Sequence, residues 1–159
     1  MTVRNSAKAL IVRDGKLLVT RNLDPWGDWY VLPGGGQRPG ETLHEALRRE
    51  CREEIGAEVE IGPLVAVREY LGSRHEFAEY DGEVHRVEFM FVCSLAEGQG
   101  IAEGQTPETG PRPDSYQTGV DWLPLDRLGD FRLYPKALKE WLWAWHTGAE
   151  VACYLGDCN

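Results

Sequence analysis

The 159-residue sequence lacks an apolar run as long as a membrane-spanning helix requires, which is about 20 residues. The segment Met1–Arg13 also lacks the apolar stretch and small-residue cleavage site of a signal peptide. We therefore expect a cytoplasmic protein with no membrane partner. This length is enough for one domain with a hydrophobic core, which we predict to span 1–159.

Positive charge is scarce, because 17 Lys and Arg residues stand against 26 Asp and Glu residues, a net charge of −9. An acidic surface disfavours non-specific binding to DNA or RNA, so we predict no nucleic-acid partner. A phosphate-bearing substrate would meet the same repulsion. A cation would then have to lie between protein and substrate, and a divalent metal is the simplest choice.

Cysteine is also scarce, with four residues at Cys51, Cys93, Cys153 and Cys158. Without a signal peptide, we expect four free thiols. Cys153 and Cys158 are close in sequence, but no second Cys/His pair with zinc-ligand spacing accompanies them. The pattern therefore does not favour a zinc site.

Strand and helix patterns alternate along the chain. Two apolar runs flank Asp14-Gly15, which predicts a type I′ hairpin. A helix is predicted from Leu43 to Ile55, with Thr42 and Glu45 as a capping box and Gly56 as its left-handed end. The remaining predictions, in chain order, are strands at Ala7–Arg13, Lys16–Arg21 and Tyr30–Leu32, a polar connection at Asn22–Asp28, a glycine turn at Gly34–Gly36, strands at Glu58–Tyr70, Val84–Ser94 and Val120–Leu123, loops at Gly72–Glu83 and Ala96–Thr118, and a helix at Lys136–His146 begun by Pro135. This mixture indicates an α/β or α+β fold, and the residues after His146 show no clear pattern.

Three carboxylates share one face of the first predicted helix, since residues there advance by roughly 100° each and Glu50, Glu53 and Glu54 fall together. A neighbouring apolar stripe (Leu43, Leu47, Cys51 and Ile55) would dock this helix on a sheet. Such carboxylates repel one another unless a hard cation neutralises them, and carboxylate oxygens suit Mg²⁺ or Mn²⁺. The alternative is an ordinary solvated helix face.

The full spacing of this region resembles the Nudix box, G-x5-E-x7-R-E-U-x-E-E-x-G-U, where U is apolar. Its fixed positions are filled within 35–57 by Gly35, Glu41, Arg49, Glu50, Glu53, Glu54 and Gly56. Cys51 and Ala57 occupy the U positions and are its least typical members. The preceding Leu32-Pro33-Gly34 and the later Trp122-Leu123-Pro124-Leu125 are also similar to elements of the family.

This resemblance implies an α/β/α sandwich with a mixed central sheet and a metal-dependent pyrophosphohydrolase of the MutT-like kind. It implies that Glu50, Glu53 and Glu54 bind Mg²⁺, or Mn²⁺, with the carbonyl of Gly35 joining them. Arg49 would orient a box carboxylate, while Glu41 and Gly56 would support the box. Glu53, Arg49 and Glu50 are the predicted catalytic residues, and a metal-activated water would attack phosphorus.

The general base is either a box glutamate or an acidic residue of the later loop, namely Glu97, Glu103, Glu108 or Asp114. Many relatives carry a glutamate close to the position of Gln117. A neutral amide cannot act as a base, which favours a box residue here.

The substrate predicted by the resemblance is a nucleoside diphosphate linked to another moiety. The run Val84–Phe91 and the triple glycine resemble an ADP-ribose pyrophosphatase-like branch. Nucleoside triphosphates and dinucleoside polyphosphates remain alternatives. The candidates for stacking on a base are Trp29, Trp26, Tyr70 and Phe77, with ordinary packing as the alternative. The candidates for binding phosphate or ribose are Arg68, Arg86 and Arg74, with ordinary surface charge as the alternative.

Two further interpretations stay open. On the last helix, Trp141 and Trp145 are predicted to pack in the core while Trp143 faces outward, which makes a homodimer a candidate assembly. A non-catalytic nucleotide sensor would be expected to lose box carboxylates, whereas this chain keeps all of them. A pure interaction module would show no metal dependence.

Overall fold

The computed structural model describes residues 2–97 and 107–159. The chain forms strands β1 (Val3–Leu10), β2 (Val12–Arg13), β3 (Lys16–Asp24), β4 (Gly27–Val31), β5 (Gly34–Gly36), β6 (Val59–Leu71), β7 (His85–Leu95), β8 (Gln117–Pro124), β9 (Leu133–Tyr134) and β10 (Tyr154–Asp157), and helices α1 (Leu43–Ile55), α2 (Ala78–Asp81) and α3 (Leu138–His146). No helix of the described ranges is long and apolar enough to cross a membrane.

The strands form two sheets. The first has the order β10-β6-β7-β1-β5, in which β1 runs parallel to β7, β10 runs parallel to β6 and the other neighbours are antiparallel. The second has the order β2-β3-β4-β9, and β8 pairs with β3. Mixed sheets with helices confirm the predicted α/β class.

Apolar side chains cover both faces of the first sheet. On one face, Leu47, Cys51 and Ile55 of α1 pack into a core with strand residues such as Ala7 and Phe91. On the other face, a second core joins the strands to Leu138, Trp141 and Leu142 of α3. Helices thus cover the two faces, as the predicted α/β/α sandwich requires.

The predicted first helix is confirmed at both ends. The Thr42 hydroxyl accepts a hydrogen bond from the Glu45 amide at 3.1 Å, and the Glu45 carboxylate accepts one from the Thr42 amide at 2.7 Å. Gly56 ends the helix with φ 60°, a left-handed conformation that glycine adopts without steric cost. The apolar stripe docks as expected, which fixes the direction in which the box carboxylates point.

The predicted hairpin is also confirmed, because Asp14 and Gly15 both have positive φ, 50° and 69°. The strand predicted over Ala7–Arg13 is divided at Ile11, where the chain passes from the first sheet to the second. A continuous apolar run in sequence cannot reveal such a transfer, since both halves are buried.

Several boundaries were wrong. The polar connection at Asn22–Asp28 is mostly strand, because β3 and β4 pair up to Asp24 and Gly27 and leave a two-residue turn. Gly34–Gly36 is a short strand that pairs with β1 and is not only a turn. The last helix begins at Leu138, whose amide donates to the Pro135 carbonyl in a preceding turn.

Outside these elements, the loop predicted at Gly72–Glu83 contains a short 3₁₀ turn and α2. Of the loop predicted at Ala96–Thr118, positions 98–106 lie outside the described residues, and its last two residues belong to β8. Trp141 and Trp145 stack in the core with ring centroids 6.1 Å apart, whereas Trp143 is 45% exposed. The homodimer stays a prediction.

Candidate active site

The glycine segment before α1 pairs with β1 and lies very close to its backbone. A Cβ at Gly34 would lie 2.1 Å from the carbonyl oxygen of Ala7. A Cβ at Gly35 would lie 2.7 to 2.8 Å from the carboxylate of Glu50. Since real Cβ contacts are not this short, only glycine lets the backbone lie against β1 and the Glu50 carboxylate together.

Arg49 connects the acidic residues around this segment. Its guanidinium donates to both oxygens of Glu41, at 2.6 and 3.0 Å, and to the Gly36 carbonyl at 2.9 Å. It also donates to Glu50 at 2.7 Å and to Glu53 at 3.3 Å. One cation therefore orients three box carboxylates and connects the glycine segment to α1.

The Arg49 guanidinium strongly affects the pKa of the Glu41 carboxylate. The paired hydrogen bonds from Arg49, helped by the amide of Arg38, lower the pKa of Glu41 to about 2. Glu41 accepts hydrogen bonds from Arg49 with both of its oxygens and so holds the guanidinium in place. This contact fits the supporting role expected of Glu41, which stays a prediction.

Glu54 lies on the buried side of α1, with 3% of its surface exposed. Burial raises the pKa of Glu54 to about 8, although Lys8 and the Gly34 amide oppose this shift. The Gly34 amide donates to its carboxylate at 2.9 Å. The carboxyl therefore holds a proton near neutral pH, and a bound cation would displace that proton and replace the lost hydration.

The side chains of the box are of the chemical type that binds a divalent metal. Glu50, Glu53 and Glu54 supply carboxylate oxygens, which Mg²⁺ and Mn²⁺ prefer, and the contact of Gly35 with Glu50 leaves no room for a side chain there. In the described part of the chain, no three acidic, histidine or cysteine side chains already stand together as a metal cluster. Arg49 holds Glu50 and Glu53, while Glu54 turns towards Gly34.

The segment 107–117, which we call the strap, holds the carboxyl end of α1. The amide of Gly110 donates to the Glu54 carbonyl at 2.9 Å, and the amide of Arg112 donates to the Glu53 carbonyl at 2.9 Å. The side-chain amide of Gln117 donates to the Glu54 carbonyl at 2.8 Å. A glutamate carboxylate at 117 could not donate this hydrogen bond. The glutamine that departs from the family pattern therefore helps to hold the end of α1.

A cavity of about 540 Å³ is lined by Lys8, which contacts Gly34 immediately before the box. Its wall contains the predicted aromatic contacts Trp26, Trp29, Tyr70 and Phe77, and also Tyr80, Tyr116 and Tyr134. Trp29 and Phe77 meet Tyr134 edge to face, with centroids 6.3 and 5.6 Å apart. Such flat apolar surfaces suit an aromatic ring such as a nucleobase.

Basic residues line the floor of this cavity, which one face of the first sheet provides. Opposite residues in paired strands share a face, so the pairing of Arg68 with Glu88, Tyr70 with Arg86 and Lys8 with Met90 brings these side chains together. All six line the cavity. The ammonium of Lys8 donates to the Gly34 carbonyl at 2.9 Å and so connects the cavity to the box.

The predicted substrate residues differ in availability. Arg68 is 6% exposed and committed to Glu88 at 2.7 Å, so its cation is largely neutralised. Arg86 is exposed on the cavity floor, and within the described ranges no ion pair holds it. Arg74 pairs with Asp157 at 3.6 Å and does not line the cavity.

The acidic residues of the late loop are also separated by the structure. Asp114 lines the cavity and is close enough to Glu54 to raise its pKa. Glu97 and Glu108 do not line it, and Glu103 lies outside the described residues.

Sequence reasoning missed several residues of the cavity. Lys8 could have been found, because it lies between Ala7 and Ala9 in an apolar run, and a strand directs such a residue to the face opposite its two neighbours. Other missed residues, such as Asp24, Tyr80, Tyr116, Arg132, Tyr134 and Asn159, come from distant parts of the chain that only the fold brings together.

The NUDIX domain family model matches residues 3–144. The chain therefore belongs to the Nudix family, as its box predicted. It is accordingly a pyrophosphohydrolase that acts on phosphoric anhydride bonds of nucleoside diphosphate derivatives.

Relatives and solved structures agree with this assignment. The nucleoside triphosphatase NudI of Salmonella heidelberg is 32% identical over 107 residues, covering 60% of this chain and 72% of that protein. A NUDIX hydrolase from Nitrosomonas europaea has a TM-score of 0.69 at 16% identity, covering 94% of this chain and 92% of that one. An ADP-ribose pyrophosphatase from Streptococcus suis has a TM-score of 0.62 at 21% identity, covering 98% of this chain and 100% of that one. At these identities the structural likenesses show the fold alone.

Proposed function

We propose that this enzyme hydrolyses a nucleoside triphosphate, with the base in the aromatic cavity and the phosphates at the Nudix box. The observation that carries the proposal is Lys8, whose side chain lines the cavity and also contacts Gly34 of the box entry. A nucleotide that stacks on the aromatic wall would thus place its phosphates beside Lys8 and the box carboxylates. The NudI relatives, named nucleoside triphosphatases, support this choice.

A nucleoside diphosphate linked to a sugar, such as ADP-ribose, is the second candidate. The cavity supports it because exposed Arg86 offers a cation for a second polar group, and a structural neighbour is named an ADP-ribose pyrophosphatase. The two candidates share the anhydride and differ only in the group beyond it.

Magnesium is the proposed cofactor, held by the carboxylates of Glu50, Glu53 and Glu54 and by the carbonyl of Gly35. When bound, such an ion lowers the pKa of a water molecule and offsets the charge of the phosphate oxygens. Arg49 fixes the direction of Glu50 and Glu53. Lys8 and Arg86 would bind the phosphates and hold the anhydride in position.

Glu53 is the proposed acceptor of the proton from the attacking water. Glu54 is buried against Gly34, and Glu50 is held at 2.7 Å by Arg49. The contacts of Glu53 are the longest of the box, 3.3 Å to Arg49 and 3.8 Å to Arg38. Its carboxylate is therefore the one most free to take a proton. Asp114, on the cavity wall, is the competing base.

The experiment is a hydrolysis panel in Mg²⁺ with the nucleoside triphosphates, ADP-ribose, diadenosine polyphosphates and sugar nucleotides. A phosphatase added to a parallel series reveals monoester products. We expect at least one triphosphate to be cleaved to a monophosphate and pyrophosphate, with the best kcat/KM of the panel. A clear preference for ADP-ribose would replace the first candidate by the second, and no cleavage of any member would contradict both.

Asp114→Asn and Glu53→Gln separate the two candidate bases. We expect Asp114→Asn to keep most of kcat and its dependence on pH, because Asp114 lies on the cavity wall. Loss of the acidic limb of the pH profile in Asp114→Asn, with retention in Glu53→Gln, would assign the base to the late loop instead.

A further inference from the structure

The segment Ala152–Asn159, which we call the tail, lies beyond residues 3–144 that match the family model. Its strand β10 extends the first sheet by pairing in parallel with β6. The amide of Val67 donates to the Cys153 carbonyl at 2.8 Å, and the amide of Cys158 donates to the Glu69 carbonyl at 3.2 Å. The tail therefore supplies the edge strand of the first sheet, which also provides the cavity floor.

Side chains hold the tail from several directions. The Trp141 indole donates to the Ala152 carbonyl at 2.7 Å. The Asp157 carboxylate accepts from the Leu71 amide at 3.0 Å and lies 2.7 Å from the ring nitrogen of His75. Contacts to α3, to β6 and to the turn after β6 fix the position of its last residues.

Arg68, which the sequence predicts as a substrate contact, makes hydrogen bonds to Glu88 and to the tail in this structure. Its guanidinium donates to Glu88 and, at 2.5 Å, to the Cys158 carbonyl. This buried guanidinium links the cavity floor to the tail, and its contact with phosphate stays a prediction. This link brings Asn159 to the cavity wall.

The side-chain nitrogen of Asn159 is buried and makes no hydrogen bond of normal geometry with a described residue. Its polar neighbour is the Glu76 carboxylate, whose pKa is lowered first by the hydrogen bond from Lys136, then by the backbone amide of Glu76, and also by the side-chain amide of Asn159. Phe77, which follows Glu76 in sequence, and Pro135, which precedes Lys136, also line the cavity. An acidic neighbour disfavours a phosphate here, whereas aromatic and apolar neighbours favour a base.

We infer that Asn159 is a specificity-determining residue, whose amide hydrogen-bonds to the edge of a nucleobase stacked on the aromatic wall. An amide suits this task because it offers both a donor and an acceptor, the groups that base edges present. The phosphates then extend in the other direction, towards Lys8 and the box. The inference rests on the proposed function in one respect only, that a nucleotide occupies this cavity.

The test compares the wild type with Asn159→Ala and Asn159→Asp in two assays. The first is calorimetric binding of AMP, GMP, CMP and UMP without metal, which needs no hydrolysis. The second is kcat and KM for the four triphosphates in Mg²⁺. We expect the ratio between the best and the worst base to fall at least about fivefold in Asn159→Ala, through KM rather than kcat. In Asn159→Asp, which replaces the donor by an acceptor, we expect the order of bases to change.

Tyr154→Phe is the matched control, since Tyr154 is an exposed tail residue whose hydroxyl bonds to Glu69 outside the cavity. It should keep the wild-type base ratio. Unchanged ratios in both Asn159 variants, an equal loss in Tyr154→Phe, or a wild type that binds all four monophosphates alike would overturn the inference. A further outcome is that the wild type cleaves no nucleotide, while the binding preference among the four monophosphates is present in the wild type and lost in Asn159→Ala. In that case the proposed function fails and the inference stands.

Discussion

Arg49 is the residue on which the geometry of the candidate site depends most. It contacts Glu41, Glu50, Glu53 and the Gly36 carbonyl, and it lies partly buried among them. A lysine would keep the charge but could not donate in several fixed directions at once. The box spacing predicted an arginine–carboxylate pair, whereas the structure shows one guanidinium shared by three carboxylates.

The Glu41–Arg49 pair makes stability depend on pH. The folded pKa of Glu41 is about 2 against an ordinary value of 4.5, so the unfolded chain binds more protons between these values. The contribution of Glu41 to stability is therefore present above pH 4.5 and is lost as the pH falls towards 2. Urea unfolding at pH 5 and pH 3 should show a smaller loss in Glu41→Gln than in the wild type. Equal losses would contradict the pairing.

Gly35→Ala should reduce kcat sharply while its neighbour tolerates the same change. A Cβ at position 35 would press into the Glu50 carboxylate at 2.7 Å, whereas a Cβ at Gly36 would make an ordinary contact of 3.6 Å with Arg4. Steady-state kinetics on both variants measures the difference. We expect a loss of at least about tenfold for Gly35→Ala, comparable to disturbing a support of a metal ligand. Similar kinetics for the two variants would show that the close approach is not needed.

At the scale of elements, α1 and the strap form one unit. The helix presents the carboxylates, and the strap bonds to the carbonyls of Glu53 and Glu54 at its end. The same segment carries Asp114 and Tyr116 to the cavity wall. The box and the cavity are thus joined through the backbone at the carboxyl end of α1 as well as through Lys8.

Gly110→Ala tests this unit. A Cβ there would lie 2.5 Å from the Glu53 carbonyl and 2.7 Å from the Gly56 nitrogen, both backbone atoms that cannot turn aside. We expect a loss of about 1 to 3 kcal/mol in the free energy of unfolding and a lower kcat. Gly129→Ala is the control, since a Cβ at Gly129 meets nothing within 4 Å. Thermal unfolding and kinetics of both variants provide the measurement, and a Gly110→Ala protein as stable and active as Gly129→Ala would refute the role of the strap.

Local signals explain how much of the fold was predictable. Helix α1 was predicted to the residue because its cap, apolar stripe and final glycine all agree. Strand β10 was missed, since Tyr154–Asp157 is stabilised by pairing with β6 and by Arg68 and Leu71, which are distant in sequence. The placement of the box glutamates on α1 followed from the same local signals. Of the cavity wall, the sequence indicated Trp26, Trp29, Tyr70 and Phe77 but not the other aromatic residues.

At the scale of the whole molecule, the charge distribution is uneven. The chain carries a net charge of −9, yet Lys8, Arg68 and Arg86 line the floor of the cavity. Most of the surface therefore repels anions, whereas Lys8, Arg86 and a cation bound at the box would attract them. Arg68 adds little to this attraction, because it is already paired with Glu88. A small phosphorylated substrate suits this arrangement better than a long polyanion.

Mg²⁺ should raise the melting temperature, because a ligand that binds only the folded state stabilises it. At ten times Kd the gain is about 1.4 kcal/mol, or roughly 3 to 6 °C for a chain of this size. Differential scanning fluorimetry with Mg²⁺ against the same concentration of Na⁺ measures the shift, and Glu53→Gln should reduce it. An equal shift with both cations would indicate general screening of the acidic surface rather than a site.

The most direct measurement is Mg²⁺-dependent hydrolysis of the best substrate of the panel by wild type, Glu53→Gln and Glu60→Gln. Glu60 is an exposed glutamate of β6, outside the box and the cavity, so its variant controls for loss of one surface charge. We predict that Glu53→Gln loses at least about 100-fold in kcat, more than the loss of an outer support, while Glu60→Gln stays near wild type. A Glu53→Gln enzyme with wild-type kcat would contradict the claim that the box carboxylates perform the chemistry.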